Sequence, residues 1–112
     1  MVKKFKIKIF ADGADLKSII NLNKKKYISG FTTNPTLMKK AGIRDYKKFA
    51  FSVLKTIKKK PISFEVFADD LTLMKLQARE ISTWGKNVYV KIPITNSKGK
   101  STNKIISELS KE

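Results

Sequence analysis

The chain contains no histidine and no cysteine. That absence excludes a Ser-His or Cys-His nucleophile pair, a thiol redox centre, a disulfide framework and a His- or Cys-ligated zinc. Acid-base work is left to Asp, Glu, Lys or Tyr. Glycine and proline are sparse, at five and three residues, and there is no low-complexity linker. No apolar run approaches the roughly 18 residues of a membrane span. Residues 1–10 alternate Lys with apolar side chains, so they lack the unbroken apolar core of a signal peptide. A soluble, cytoplasmic protein is the expectation. Arginine is nearly missing as well: only Arg44 and Arg79 occur among 25 basic residues, leaving 23 lysines against nine Asp and Glu and a formal net charge of +16.

What is present is enough for one domain. A chain of 112 residues buries roughly two-thirds of the surface that its unfolded form exposes. With 41% hydrophobic and 10% aromatic residues, it has the apolar content to fold despite its charge. A nucleic-acid binder draws on Arg for bidentate contacts to bases and phosphates. Lysine spread along the whole chain reads instead as a solvated surface, at the cost of self-repulsion.

Short apolar runs alternate with longer amphipathic ones. Residues 5–12 read as a strand, and 15–25 as a helix with Leu16, Ile19, Ile20 and Leu22 at helical spacing. Asp15 is its N-cap candidate. Residues 27–33 form a second strand, broken at Asn34-Pro35, and Pro35 can open a helix over 36–41 that Gly42 stops. A helix over 45–59 carries Tyr46, Phe49, Ala50, Val53, Leu54 and Ile57 on one side; Pro61 ends it. A third strand (62–68), a helix from Asp69-Asp70 to Trp84 stopped by Gly85, a fourth strand (87–94), a polar loop (95–100) and a helix over 102–109 complete the chain. The alternation of strands and helices with short connections predicts an α/β fold with a parallel sheet and helices outside. Right-handed crossovers leave two architectures, an open doubly wound sheet or part of a (β/α)8 barrel of the TIM type.

Strands of a parallel sheet are nearly all apolar, because both faces are covered. The polar exceptions are Asp12, Thr32-Thr33-Asn34, Glu65 and Lys91, and all but Glu65 fall at or near the carboxyl end of a strand, where α/β folds place their chemistry. Lys91 stands in Val88-Tyr89-Val90-Lys91-Ile92-Pro93. An ammonium there loses hydration, which lowers its pKa, and a neutral amine attacks carbonyls to make Schiff bases. The competing reading is a lysine that snorkels from a strand end. Asp12 serves either as a charge partner or proton shuttle for Lys91, or as an Asx-type cap before Ala14. An unpaired buried carboxylate is costly, so Glu65 is either a catalytic group or half of a structural ion pair with a lysine. Asn34 before Pro35 is either a turn residue or a hydrogen-bonding group for a polyol.

Four blocks, Phe10-Ala11-Asp12-Gly13-Ala14-Asp15-Leu16, Gly30-Phe31-Thr32-Thr33-Asn34-Pro35-Thr36, Ile62-Ser63-Phe64-Glu65-Val66 and Val90-Lys91-Ile92-Pro93, resemble the transaldolase family in order and across the whole chain, especially its small members. The resemblance implies a class I (β/α)8 barrel with no metal and no cofactor. It makes Lys91 the Schiff-base lysine, which attacks the ketone of a ketose phosphate such as fructose 6-phosphate or sedoheptulose 7-phosphate. Asp12 is then the acid-base aspartate of carbon–carbon cleavage, Asn34 with Thr33 holds the dihydroxyacetone unit, and Glu65 moves protons through a water. An aldose phosphate accepts the three-carbon unit, as in the pentose phosphate pathway. The related fructose-6-phosphate aldolases, the alternative activity, have Gln at the position of Glu65. Gly13 departs from the family, where many members have Thr. The larger departure is length. A complete barrel takes about 200 residues or more, so residues 1–112 correspond to its amino-terminal half, with no second domain. The family's later-strand Thr or Ser and its phosphate-gripping basic residues match nothing here. The expectation is a fragment, or a chain that needs a complementing carboxyl-terminal half or self-association as a homo-oligomer, with little activity alone.

Two other readings are weaker. Gly99-Lys100-Ser101 follows a strand like the end of a P-loop, but that pattern needs glycine five positions earlier, where Ile94 stands. The runs Lys24-Lys25-Lys26 and Lys58-Lys59-Lys60 suggest a non-enzymatic nucleic-acid-binding module. Their position at helix carboxyl ends already has a local reason in the helix dipole, and Phe5, Phe10 and Phe64 look like strand core rather than stacking platforms. Nucleic acid is therefore not an expected partner, and neither is a membrane.

Overall fold

Helical and extended segments alternate in the computed structural model, which describes residues 6–112, as β1 (Ile9–Asp12), α1 (Leu16–Asn23), β2 (Ile28–Thr32), α2 (Pro35–Lys40), α3 (Tyr46–Thr56), β3 (Ile62–Glu65), α4 (Leu71–Ser82), β4 (Val88–Lys91) and α5 (Asn103–Ser110). Helix starts follow side-chain chemistry. Asp15, Asn34, Asp45 and Asp70 each accept a backbone N–H three residues on, from Ser18, Leu37, Lys48 and Leu73, satisfying a donor that the first turn leaves without a partner. Gly42, at φ 77°, supplies the left-handed turn after α2.

All strand pairs are parallel and the order is β1-β2-β3-β4. A doubly wound sheet reverses its strand order at a switch point. This sheet never reverses. Right-handed crossovers that always advance the same way put every connecting helix on one face. The result is the geometry of a partial (β/α)8 barrel. Burial follows the pleat. Phe31, Ile62 and Phe64 point to the helices and pack with Ile19, Val53, Ile57, Met74, Ala78 and Ile81. The alternate set, Phe10, Asp12, Tyr89 and Lys91, lies on the open face and is exposed. Among the described residues, β1 and β4 each pair with a single strand.

The strands are shorter than the apolar runs suggest. Phe5, assigned by pattern to the first strand, lies outside the described residues, and residues 6–8 do not pair. Past Glu65 one ladder bond remains, from Val66 N–H to the Lys91 carbonyl at 3.1 Å, and pairing then ends because Phe67 and Ala68 N–H both donate to Gln77 Oε1, at 3.0 and 2.9 Å. Beyond β4, Pro93 offers no N–H, and the Ile94 carbonyl accepts from Thr102 N–H at 2.9 Å. The 95–100 loop closes on Asn96, whose Oδ1 accepts from Lys98 and Lys100 N–H, with Gly99 at φ 78°. Gly99-Lys100-Ser101 is thus a turn, and Ser101 Oγ accepts from Asn103 N–H at the head of α5. Among the described residues no helix is long and apolar enough to cross a membrane.

Candidate active site

Strand register sets which polar side chains meet. Asp12 pairs with Thr32, Thr32 with Ser63, and Ser63 with Tyr89, forming one row across the open face. Two residues further along, Glu65 pairs with Lys91. Residues two apart on a strand share a face, so Glu65 and Lys91 continue the same face at the carboxyl ends of β3 and β4.

Lys91 Nζ lies 4.0 Å from Glu65 Oε2. That is ion-pair range, beyond direct hydrogen-bond reach and suited to one bridging water. The Lys91 side chain is 45% exposed and that of Glu65 19%. The apolar surroundings that the sequence suggests for Lys91 are therefore not there. Val90 and Ile92 belong to the opposite side of the pleat, while Lys91 projects from the open face. Glu65 is the more shielded partner, and the lysine that pairs with it is Lys91. Its main chain is anchored too: Tyr46, at the first position of α3, donates its hydroxyl to the Glu65 carbonyl at 2.6 Å. Burial, and next the Glu65 charge, push the Tyr46 phenol well above the ordinary tyrosine range.

Asp12 is not beside Lys91. Its Oδ1 accepts from Thr32 Oγ1 at 2.8 Å, and β1 is three strands from β4, about 14 Å along the sheet at the usual strand spacing. A direct Asp12–Lys91 charge pair is thereby corrected. The two can act on one molecule only if it spans the face between them. Asn34 caps α2, with Oδ1 accepting from Leu37 N–H at 2.9 Å. Its turn role is real, and its amide N–H groups are what remain for a ligand. Thr33 does not join the open face. It is 1% exposed, its N–H donates to the Ser63 carbonyl at 3.2 Å, and its hydroxyl has no partner among the described residues. Ser63, Tyr89 and Tyr46 escape a search for polar interruptions alone. The period-two rule applied backwards from Glu65 and Lys91 reaches the first two; no local signal marks Tyr46, which reads as core.

Comparison with known proteins gives the same direction. The family model for Transaldolase/Fructose-6-phosphate aldolase matches residues 9–112. The chain is 43% identical over 106 residues to a probable transaldolase of Dehalococcoides mccartyi, covering 95% of this chain and 47% of that protein. It is 39% identical over 106 residues to a probable transaldolase of Streptococcus agalactiae (95% and 46%), and 38% identical over 102 residues to one of Methanococcus maripaludis (91% and 46%). The chain spans about half the length of the curated relatives it matches.

Proposed function

The chain belongs to the transaldolase/fructose-6-phosphate aldolase family, and from that membership we propose that its open sheet face carries the Schiff-base machinery of a dihydroxyacetone transfer. The observation that carries this reading is the Lys91–Glu65 pair, in register on neighbouring strands at the end of the sheet where such folds react. Lys91 Nζ attacks the ketone carbon of a ketose phosphate. Glu65, through one water, takes one proton from the Lys91 ammonium to free the attacking amine; after attack a second proton passes from nitrogen to the former carbonyl oxygen, and Glu65 returns the first as that hydroxyl leaves as water, giving an iminium. Asp12 accepts the proton of the C4 hydroxyl as the C3–C4 bond breaks. The aldose phosphate departs and the bond electrons pass to the iminium as an enamine. Attack of that enamine on an acceptor aldehyde and hydrolysis restore Lys91. Asn34 binds the three-carbon unit through its amide N–H groups. Thr33 acts through the backbone, its N–H fastening the end of β2 to β3.

We read residues 1–112 as the amino-terminal half of the barrel, with a complementing half or a second copy covering the open face, and expect little turnover from the chain alone. Glu65, where the resemblance places Gln in the lyase branch, favours transfer over simple aldol cleavage. Borohydride reduction in the presence of fructose 6-phosphate tests the proposal without needing turnover. Peptide mapping should find the reduced adduct on Lys91 and on none of the other 22 lysines. Equal labelling in the Lys91→Ala variant sinks the assignment.

A further inference from the structure

The two ends of the sheet carry different charge. Residues 6–8, 24–27, 57–61 and 83–87 precede β1, β2, β3 and β4 and lie at the amino ends of the strands. Of these 17 residues nine are lysine, at positions 6, 8, 24–26, 58–60 and 86, and none is Asp or Glu. In the whole chain lysine is 23 of 112. The opposite end, by contrast, is balanced: residues 12–15, 33–45, 65–70 and 91–102 hold six of the nine carboxylates, Asp12, Asp15, Asp45, Glu65, Asp69 and Asp70, against six lysines and arginines. Eight of the nine amino-end lysines are exposed. Lys60 is half-buried and structural: its ammonium donates to the Asn23 and Lys25 carbonyls, both at 2.9 Å, capping α1. Among the described residues none of the nine takes part in an ion pair; those formed are Lys47–Glu80, Lys75–Glu108, Arg79–Glu112 and Lys91–Glu65.

The helix dipole accounts for a cation at one helix end, and its effect fades within a turn. It does not account for four separate loops that exclude carboxylates and meet at one end of a sheet. At about 4.8 Å between strands, adjacent loops lie within one Debye length, about 8 Å at physiological salt. Their lysines therefore repel one another, and a polyanion relieves that repulsion while releasing its own counterions.

Against the expectation drawn from the two lysine runs taken singly, and because the fold gathers four such loops at one end, we propose that the amino-end face of the sheet binds the phosphate backbone of single-stranded nucleic acid without reading its sequence. Lysine supplies point charges and lacks the planar fork that reads bases. Tyr27, 42% exposed beside the 24–26 run, adds one ring of the kind on which bases stack. A flexible strand can follow four uneven loops, whereas a duplex is stiff over about 150 base pairs. A bilayer is the poorer fit. Ile7 and Tyr27 are the only exposed large apolar side chains in these loops, short of the apolar face that interfacial binding buries.

The test is fluorescence anisotropy of a labelled oligouridylate with the 112-residue chain, titrated between about 50 and 200 mM salt. Two charge-matched variants are compared: Lys24→Gln/Lys25→Gln/Lys58→Gln/Lys59→Gln, which spares Lys60, and Lys39→Gln/Lys40→Gln/Lys98→Gln/Lys104→Gln. Each lost phosphate contact lowers the salt slope by about 0.7, so four lower it by about 3. Over that salt range the first variant should lose about 50-fold less affinity than the parent chain, while the second keeps the parental slope. Circular dichroism checks folding. If the fourfold variant does not fold, the Lys24→Gln/Lys25→Gln and Lys58→Gln/Lys59→Gln pairs should each remove about half of the slope change. Equal losses in the two fourfold variants, no oligouridylate binding at the lowest salt, or binding to phosphatidylserine vesicles but not to oligouridylate would each overturn the proposal.

Discussion

Tyr46→Phe isolates the contact that ties the helix layer to the end of β3. The ring stays, and with it the packing against Phe64, Phe67 and Trp84 at centroid distances of 6.2, 5.4 and 5.7 Å. Only the hydroxyl that donates to the Glu65 carbonyl goes. At neutral pH the loss of this half-buried hydrogen bond should destabilise the chain by about 1–2 kcal/mol. The alkaline limb provides a second and more specific reading. Burial, with Glu65 as the lesser cause, raises the phenol pKa of the folded chain. The stability linked to the neutral phenol is then fully present below the unfolded-state value, about 10. It is lost as the pH rises from there toward the folded-state value. One proton released on unfolding gives a slope of about 1.4 kcal/mol per pH unit. Between about pH 9 and pH 11 the parent chain should therefore lose about 1.4 kcal/mol more stability than the Phe variant, and the gap between them should close. Urea unfolding followed by the fluorescence of Trp84, the sole tryptophan, measures both effects. An unchanged midpoint at neutral pH, or a gap that stays constant into alkali, refutes the reasoning.

Gly30→Ala places a Cβ 2.5 Å from a Phe10 ring carbon and 2.7 Å from the Pro61 carbonyl oxygen, and overpacking of this kind should cost about 1–3 kcal/mol by urea midpoint. Adding Phe10→Ala should recover only part, since the Pro61 carbonyl is backbone and already accepts from Phe31 N–H at 2.9 Å; a neutral Gly30→Ala would contradict the close approach. At acid pH, hydrogen bonds from Lys75 and Arg79 hold the carboxyls of Glu108 and Glu112 below the usual range. Folded-state values so depressed mean stability that is present above the unfolded value, about 4.3, and lost as pH falls through the folded-state values. Thermal melts should show that acid limb flattened in Lys75→Met and Arg79→Met, and an unaltered limb would count against both pairs.

Element type and order were legible because they rest on local rules. Helical spacing, Asp caps, Gly and Pro breaks and apolar runs each act within a few residues. The polar residues at strand ends were legible for the same reason, since a buried parallel strand does not tolerate them without cause. The lengths of β3 and β4 were less so, because Gln77 and Thr102, which draw off the backbone groups that follow, come from elsewhere in the chain.

Composition alone leaves a lysine and carboxylates for the chemistry, with no histidine or thiol. Local pattern likewise sets the alternation of strands and helices and puts Ser63 on one face with Glu65, and Tyr89 with Lys91. It took the packed fold to put the helices on one face, to bring Lys91 to Glu65 rather than Asp12, to spend the Asn34 side-chain oxygen Oδ1 on α2, and to bury Thr33. The fold also gathered lysines from four separate loops at one end of the sheet. Strand order and register arise from hydrogen-bond ladders and helix packing between segments distant in the chain, and no local periodicity encodes which segments will be neighbours.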